Sequence, residues 1–258
     1  MTQIAHNGFM KAKGATADKQ VIVTTSWDDG HPLDIRLADL LASYGIRGTF
    51  YVPINYYKMP PLREAKLWPV KNLGMEIGAH GMAHTNLTKT RHLLHEVIAS
   101  KIRLEDLTGA EISSFCYPKG EFNHKVCSAV ADAGYRLGRT TIAFRTSTEF
   151  DAYRMPVSIQ FSRHSRSALV RHALKDSNFR GLADWWQYGR LENDPLRLAE
   201  LTFEHVLRSG GIFHLWGHSW EIESQGLWKP LESLFKRIVS RSGIQFLTNA
   251  QTLNAIGK

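Results

Sequence analysis

The sequence contains few cysteines and no long hydrophobic run. Its two cysteines, Cys116 and Cys127, are too few for a disulfide framework and lack the spacing of a metal-binding pair. No apolar stretch reaches the roughly 20 residues that a transmembrane helix requires. Residues 1–20 are polar and hold no apolar segment of the kind found in secretory signal peptides. These absences predict a cytoplasmic protein without a membrane span.

The sequence also lacks linkers, internal repeats and low-complexity segments. Its 258 residues are 43% hydrophobic, which is enough for one sizeable core. Length alone allows one or two domains, but nothing in the composition divides the chain. We therefore predict a single domain over residues 1–258, with a core at about residues 20–248.

Charge is unevenly distributed along the chain. The formal net charge is +8, and residues 136–190 hold ten Lys or Arg against four Asp or Glu. That stretch could face an anionic substrate, such as a sugar linked to a nucleotide or to a lipid phosphate, or it could be a solvated basic surface. No pattern of a nucleic-acid-binding fold accompanies it, so no nucleic-acid partner is predicted. The sequence leaves the oligomeric state open.

Two adjacent carboxylates and a pair of imidazoles point most directly to chemistry. Asp28 and Asp29 follow an apolar strand at residues 20–27. The later segment HGMAH places His80 and His84 four residues apart. An aspartate with two imidazoles suits a divalent metal, zinc first, with cobalt, nickel or manganese as alternatives. A second carboxylate beside the metal ligand is a candidate general base, and the two roles together describe a metal-assisted hydrolase.

The spacing of each histidine pair carries a structural expectation. On a helical turn, His80 and His84 lie on one face and can bind the same ion. A second pair, His214 and His218, continues an apolar run at residues 211–213 that is typical of a buried strand. Residues four apart in a strand are separated by roughly 13 Å, so this pair cannot share an ion. One of the two is expected to be structural, while the other could serve as an acid.

Strand and helix patterns alternate along the chain. Strands are predicted at residues 20–27, 46–52, 113–117, 135–140, 211–217 and 244–248, and helices at residues 33–44, 90–107, 123–133, 194–208 and 227–240. The second of these helices has an apolar stripe formed by Leu94, Ile98 and Ile102. Asn123 and Asp194 are predicted N-caps. The repeated alternation indicates the α/β class, with a parallel sheet covered by helices.

These residues resemble the motifs of the polysaccharide deacetylase family, which is defined by the NodB-homology domain and forms carbohydrate esterase family 4. The segment SWDDG at residues 26–30 is similar to its first motif, TFDDG, and HGMAH at residues 80–84 is similar to its second, H-[S/T]-x-x-H. Residues 116–120, CYPKG, match the third motif, R-x-P-x-G, with Cys in place of Arg. Residues 217–221, GHSWE, look like the final motif. The resemblance runs over about residues 20–248 and implies a distorted (β/α) barrel of about seven parallel strands, with the site on the C-terminal rim.

The resemblance also implies a role for each motif residue. Asp28 corresponds to the base that activates water, and His218 to the acid that protonates the leaving amine. The implied metal ligands are Asp29, His80 and His84. The backbone N–H of Lys119 would help to hold the oxyanion, with Tyr117 beside it in the same motif. Trp220 could wall the acyl pocket.

Two departures from the family pattern concern the base and the acid. In the family, the third-motif Arg orients and charges the base, and Cys116 cannot do that. We expect Arg139 to replace it because Arg139 ends the next predicted strand, with Arg145 and Arg154 as alternatives. No fourth motif, the segment that contacts the acid in the family, is found, so the orientation of His218 has no explanation in the sequence.

Two groups of aromatic residues lie outside these motifs. Trp185, Trp186 and Tyr188 could stack on a sugar face, or could pack in the core or in a lid. Tyr56 and Tyr57 lie in a proline-rich loop and could line the cleft.

The function that the resemblance implies is hydrolysis of an N-acetyl group on a sugar, in the biosynthesis of a surface polysaccharide of the O-antigen or capsule type. Other hydrolases keep the metal and change the bond: a deformylase, an O-acetyl esterase or a cyclic-amide hydrolase of the allantoinase type. A third interpretation is a degenerate, non-catalytic carbohydrate-binding protein. Retention of Asp28 and Asp29 together with both histidines argues against it, because a binding module needs no base beside a metal ligand.

Overall fold

The computed structural model describes residues 19–56, 64–175 and 177–258. Its strands are β1 (Val21–Asp28), β2 (Gly48–Val52), β3 (Glu76–Ala79), β4 (Ser114–Cys116), β5 (Leu137–Arg139), β6 (Ile159–Gln160), β7 (Gly211–Gly217) and β8 (Ile244–Phe246). Its helices are α1 (Asp34–Ser43), α2 (Glu64–Asn72), α3 (Ser100–Thr108), α4 (His124–Asp132), α5 (Arg166–Lys175), α6 (Phe179–Gln187), α7 (Pro195–Ser209), α8 (Ser219–Ser224), α9 (Trp228–Val239) and α10 (Asn249–Ala255). A π-helical turn (His95–Ala99) precedes α3, and 3-10 turns occupy Pro118–Gly120 and Ala152–Arg154.

All eight described strands are parallel and form one curled sheet. Seven follow the order β5-β4-β3-β2-β1-β7-β6, and β8 pairs with the first half of β1. The two edges of the sheet are brought together by the segment that leads into β6. Its Met155 forms a bridge with Arg139 of β5 and accepts a hydrogen bond from the backbone N–H of Thr140 at 2.8 Å. The fold is therefore the distorted (β/α) barrel that the motifs predicted.

The first strand lies at the centre of this sheet. All eight residues of β1 are buried, because β2 and β7 flank it and helices cover the sheet. A strand buried on both faces has no alternation of apolar and polar residues, which explains its continuous apolar run. The strand ends at Asp28, so the two carboxylates emerge at the C-terminal edge of the sheet. There they face the ends of the neighbouring strands.

Local sequence signals locate several helices correctly. The Asn123 side chain accepts a hydrogen bond from the backbone N–H of Val126 at the start of α4, and Asp194 does the same for Arg197 at the start of α7. Both residues are the predicted N-caps. None of the described helices is long and apolar enough to cross a membrane.

The predicted helix over residues 90–107 differs from the structure. A π-helical turn at His95–Ala99 interrupts the region, and the stripe Leu94, Ile98 and Ile102 is exposed, at 59%, 40% and 55%. The buried residues are instead Leu93, Glu96, Val97, Ser100, Leu104 and Thr108. Apolar residues occupy two adjacent stripes here, and the sequence alone does not show which of them faces the sheet.

Candidate active site

The predicted site residues meet at the C-terminal rim of the sheet. They surround a cavity of about 270 Å³. Its polar side is lined by residues at the ends of β1, β3, β4 and β7: Asp28, Asp29, His80, His84, Tyr117, Lys119 and His218. Side chains from distant parts of the chain converge because parallel strands all end at the same rim.

Asp29 lies within reach of both imidazoles of the predicted metal set. Its Oδ1 is 3.4 Å from His84 Nε2 and 3.9 Å from His80 Nε2. Asp29 has a left-handed backbone (φ 79°), which turns the chain sharply at the end of β1. In a regular strand, Asp28 and Asp29 would point to opposite faces. The turn removes that alternation, and both side chains line the same cavity.

The two histidines are brought together by a loop, so the expected helical turn is wrong. His80 directly follows β3, and His84 has a left-handed backbone (φ 53°). Glu96 holds this loop, because its Oε2 accepts hydrogen bonds from the backbone N–H groups of Met82 at 2.8 Å and Ala83 at 3.0 Å.

Glu96 also explains why a glycine stands where the family has a hydroxyl residue. Gly81 has φ +76°, and a Cβ built on it would lie 3.0 Å from Glu96 Oε2. Glu96 is itself buried and sits in the π-helical turn, a feature that is frequent at functional sites. The π-helical turn, Glu96 and Gly81 together fix the conformation of the loop that carries both histidines.

The electrostatic environment keeps both imidazoles neutral in the metal-free protein. Burial, with His80 nearby, lowers the pKa of His84 to about 3. Burial also lowers the pKa of His80, although the charges of Asp28 and Asp29 oppose the shift. The Nδ1 of His80 lies 2.9 Å from the carbonyl oxygen of Cys116, which favours a tautomer with the Nε2 lone pair directed at Asp29. Neutral imidazole is the form that binds metals.

The residues present fit a divalent metal such as zinc. The buried Asp29 Oδ1 has no hydrogen-bond partner among the described residues, although it faces two imidazole nitrogens. In tetrahedral zinc sites with bonds of about 2.0–2.1 Å, ligand atoms are separated by about 3.3 Å. The ligand atoms of Asp29, His80 and His84 all lie within 4.8 Å of one another, close to that spacing.

A second group, Asp28, His80 and Cys116, also lies within 4.8 Å, but its chemistry suits a metal less well. Burial raises the pKa of the Cys116 thiol well above its usual value, so the thiol is protonated. The guanidinium of Arg139 already donates a hydrogen bond to Asp28. A cation at this position would face that positive charge.

Arg139 stands beside Asp28, whereas the third-motif Arg place is occupied by Cys116. Cys116 and Arg139 are paired residues in the register of β4 and β5, so the neighbouring strand supplies the guanidinium at the same height in the barrel. Arg139 Nη2 donates to Asp28 Oδ1. Its guanidinium lies over the rings of Tyr51 and Trp216, at 5.1 and 4.9 Å from their centroids.

The pair determines the charge of the candidate base. Burial alone would raise the pKa of Asp28, but the positive charge of Arg139 and its hydrogen bond outweigh burial and lower that pKa. Asp28 is therefore ionised at neutral pH. The Cys116 thiol lies 3.6 Å from Asp28 Oδ2 and is a weak donor to it. The two alternatives, Arg145 and Arg154, lie elsewhere, with Arg154 over the ring of Phe122 at 5.4 Å.

The orientation of His218 comes from a residue that the sequence analysis did not assign. Its Nδ1 lies 2.7 Å from Glu221 Oε2, and Gln160 Nε2 donates to the same oxygen at 3.1 Å. Burial opposes a charge on His218, but the hydrogen bond to Glu221 and the charges of Asp28 and Asp29 outweigh it and raise the pKa of His218. The His218 Nε2 atom is 3.7 Å from Asp29 Oδ2.

The other histidine of that pair is structural. His214 Nε2 lies 2.8 Å from the hydroxyl of Ser26, and its Nδ1 lies 3.0 Å from the carbonyl oxygen of Pro156. Burial lowers its pKa to about 3, so it stays neutral inside the barrel. The strand geometry of β7 thus separates the two imidazoles, as the spacing predicted.

The remaining predicted site residues occupy different positions. Tyr117 and Lys119 line the cavity, and Lys119 has a left-handed backbone (φ 62°). The Tyr117 hydroxyl donates to the Tyr153 carbonyl oxygen at 2.8 Å, which leaves the ring as its contribution to the cavity. Trp220 is not among the residues that line the cavity in the described part of the chain. Its Nε1 donates to Asp29 Oδ2 at 3.2 Å, so it holds the candidate metal ligand.

The aromatic residues outside the motifs divide between the core and the cavity. Tyr56 stacks on His84, with ring centroids 4.4 Å apart. Tyr57 lies outside the described residues. Trp185 and Tyr188 are buried, whereas Trp186 is 69% exposed. Core packing therefore describes Trp185 and Tyr188 better than stacking on a sugar.

Glu96 and Glu221 are two residues of the candidate site that the sequence analysis missed. Glu221 lies three residues after His218, and such a pair shares one face of a helical turn. That spacing is a signal that could have found Glu221. No comparable local signal exists for Glu96, because it contacts a loop about fourteen residues earlier across the fold.

Comparison with known proteins agrees with the motifs. The sequence model of the polysaccharide deacetylase family matches residues 13–138, which include the first three motifs. Over this part, the chain is similar to the polysaccharide deacetylase family. A search of the curated proteins gives no significant match.

Solved structures extend the similarity of fold over the whole chain. A putative polysaccharide deacetylase from Mycobacterium smegmatis is 16% identical with a TM-score of 0.67, and the match covers 95% of this chain and 93% of that chain. The peptidoglycan deacetylase PdaC from Bacillus subtilis is 16% identical with a TM-score of 0.54, covering 94% and 93%. The Streptococcus pyogenes deacetylase PplD is 21% identical with a TM-score of 0.48, and the match spans 51% of this chain and only 61% of that chain. At these identities, the first two structures show similarity of fold alone.

Proposed function

We propose that this protein is a metal-dependent hydrolase that removes an N-acyl group from an acylated amino sugar. The observation that carries the proposal is the arrangement in one cavity of an ionised carboxylate, a candidate metal set and an imidazole. Asp28 is paired with Arg139, and His218 is held by Glu221. Between them lies the set Asp29, His80 and His84.

Each group has a defined part in the reaction. A divalent metal held by Asp29, His80 and His84 would act as a Lewis acid on the amide carbonyl and on the attacking water. Asp28 takes a proton as the water oxygen bonds to the carbonyl carbon. His218, whose raised pKa favours the imidazolium, gives a proton to the nitrogen as the C–N bond breaks. The products are a carboxylate and a free amine.

The substrate and its location belong to the same proposal. We propose the biosynthesis of a surface polysaccharide of the O-antigen or capsule type, on a sugar carried by a nucleotide or a lipid phosphate. The basic composition of residues 136–190 supports an anionic carrier. The cytoplasmic location and the single domain remain predictions from the sequence.

Amine release tests the reaction. Zinc-loaded protein is incubated with N-acetylglucosamine oligomers and with a nucleotide-linked N-acetyl sugar, and the free amine is measured. We expect release from the nucleotide-linked sugar to be lost in Asp28→Asn, by roughly 10²–10⁴-fold, with the metal content unchanged. The matched control is Asp39→Asn, because Asp39 is an exposed carboxylate on α1.

The outcomes separate the alternatives. Equal turnover by wild type and Asp28→Asn contradicts the proposed base. Preference for the neutral oligomers contradicts the anionic carrier. Release of acetate from an O-acetyl sugar without amine release favours the esterase alternative. Tight sugar binding without any hydrolysis favours the degenerate carbohydrate-binding protein.

A further inference from the structure

One side of the active-site cavity is apolar and has no part in the proposed chemistry. It lies between the ends of β5 and β6, and residues of α5 and α7 line it. The residues that form this apolar wall are Ala143, Phe144, Ile159, Leu169 and Leu198. We call these five residues the apolar wall.

The apolar wall is held in a fixed shape from behind. Phe144 has a left-handed backbone (φ 59°), which is an outlier for a bulky residue. Its ring stacks on Trp185 of α6, with centroids 5.5 Å apart and planes at 9°. The Tyr188 hydroxyl donates to the Phe144 carbonyl oxygen at 2.9 Å. Such a conformation persists only where the surroundings over-determine it, so the packing of α6 maintains the wall.

The part of the chain between β6 and β7 contributes the cover of the wall. Leu169 and His172 are three residues apart on α5, and both line the cavity. Leu198 on α7 lies against the same space, although it is only 5% exposed. Helices thus cover the wall in part, and His172 of α5 is exposed beside it.

The chemistry of the cavity assigns one part of the substrate to this wall. An amide has three substituents around its carbonyl: the oxygen, the nitrogen and the acyl chain. The oxygen belongs beside Asp29 and Lys119, and the nitrogen beside His218. A sugar ring is a poor occupant of the wall, because its hydroxyl groups would be buried without hydrogen-bond partners. The side chains of the wall offer neither donors nor acceptors.

We propose that the apolar wall binds the acyl chain of the substrate, and that this chain is a hydrocarbon longer than the methyl of an acetyl group. The inference rests on the proposed amide hydrolysis at this site. Its five apolar side chains come from the segment after β5 and from β6, α5 and α7, and they line a cavity of about 270 Å³, which is larger than a methyl group needs. The enzyme would therefore be selective among N-acyl groups by their length.

The first experiment measures kcat/KM for one amino sugar carrying N-acetyl, N-propionyl, N-butyryl or N-hexanoyl groups, with zinc-loaded wild-type protein. We expect kcat/KM to rise by about fourfold for each of the first added methylenes, the ratio that about 0.8 kcal/mol per buried methylene gives. The highest value for N-acetyl, with a fall at every longer chain, would overturn the proposal.

Paired variants on α5 locate the effect. Leu169→Phe narrows the space and should shift the preference to shorter chains, whereas Leu169→Ala should shift it to longer ones. The controls are Leu174→Phe and Leu174→Ala, because Leu174 is 50% exposed on the same helix and does not line the cavity. A chain-length profile that is the same in Leu169→Phe as in wild type contradicts the proposed subsite.

A binding measurement separates this inference from the proposed hydrolysis. Acetate, butyrate and hexanoate, the carboxylate products of the series, are titrated calorimetrically into zinc-loaded wild-type protein. Affinity that increases with chain length supports the wall as an acyl subsite even where no amide is hydrolysed, in which case the proposed reaction alone fails. Equal or decreasing affinity with chain length overturns the subsite, whatever the turnover.

Discussion

Arg139 donates a hydrogen bond to Asp28 across 111 residues of sequence, and both side chains are buried. The contact exists because β5 lies beside β4 and Arg139 pairs in register with Cys116. A guanidinium is thereby delivered to the base from the adjacent strand. The aromatic rings of Tyr51 and Trp216 both lie close to it. We propose that this pair replaces the missing third-motif Arg.

Removal of Arg139 should damage both activity and stability. Arg139→Met leaves a buried carboxylate without its cation, which typically costs about 3–5 kcal/mol of unfolding free energy. We expect a lower kcat with zinc content unchanged. Adding Asp28→Asn removes the unpaired charge, so the double variant should be more stable than Arg139→Met alone in urea unfolding. Independent, additive losses in this double-mutant cycle would show that the two residues are not coupled.

The second prediction concerns Glu96, which holds the loop that carries His80 and His84. Glu96→Ala leaves two backbone N–H groups without acceptors, and loss of such supporting contacts typically lowers metal affinity by about 10–100-fold. Glu96→Gln keeps one acceptor oxygen and should lose less. Competition with a fluorescent zinc chelator measures the affinity.

The control for that experiment is Asp106→Ala on α3, an exposed carboxylate of the helix that follows the same π-helical turn. Its zinc affinity should match wild type. If Glu96→Ala binds zinc as tightly as wild type, Glu96 does not support the metal-binding loop.

The third prediction concerns Glu221, whose carboxylate accepts a hydrogen bond from Nδ1 of His218. Glu221→Gln removes the negative charge that raises the pKa of His218 and weakens the hold on its ring. We expect kcat to fall to a value between those of wild type and His218→Ala, with zinc content unchanged. Glu223→Gln is the matched control, because Glu223 lies on the same helix and pairs at the surface with Arg36 at 3.1 Å. Equal kcat in Glu221→Gln and wild type would leave the orientation of His218 unexplained.

A fourth prediction follows from Asp34, a buried carboxyl at the start of α1. Its Oδ1 accepts from Ser219 Oγ at 2.5 Å, and Oδ2 has no partner among the described residues. Burial raises the pKa of Asp34 to about 8, with Asp29 and Asp28 adding to the shift. The folded state therefore binds a proton that the unfolded state releases near pH 4.

The raised pKa of Asp34 makes the free energy of unfolding depend on pH. The stabilisation from protonated Asp34 is fully present below about pH 4 and is lost as pH rises towards 8, by at most about 1.4 kcal/mol per pH unit. Asp34→Asn keeps the shape of the protonated carboxyl and has no such dependence. In protein stripped of metal with EDTA, the variant should gain stability over wild type at pH 7 relative to pH 5. A difference between the two proteins that is constant with pH would contradict the raised pKa.

Much of the fold and the site could be predicted from the sequence because strand ends carry the motifs. The apolar run of β1, the caps Asn123 and Asp194 and the β–α alternation are local signals, and they fix a parallel sheet. A parallel sheet places all strand ends at one rim. That topology alone brings Asp28 and Asp29 near His80 without any knowledge of side-chain packing.

The features that could not be predicted depend on contacts between distant segments. Whether the stripe containing Leu94 or the one containing Leu93 faces the sheet depends on the π-helical turn. The same turn places Glu96 against the loop that carries His80 and His84. The short strand β6 and the helices α5 and α6 were not predicted. They nevertheless form and support the apolar wall, through Ile159, Leu169 and the stacking of Trp185 on Phe144.

We propose that amide hydrolysis depends on one metal ion held by Asp29, His80 and His84. The most direct test is amine release from an N-acylated amino sugar by EDTA-stripped protein during titration with zinc. We predict no release in the stripped protein, a linear rise that saturates at about one zinc per chain, and no recovery in His84→Ala. Full release by protein shown by elemental analysis to be free of metal would contradict the account.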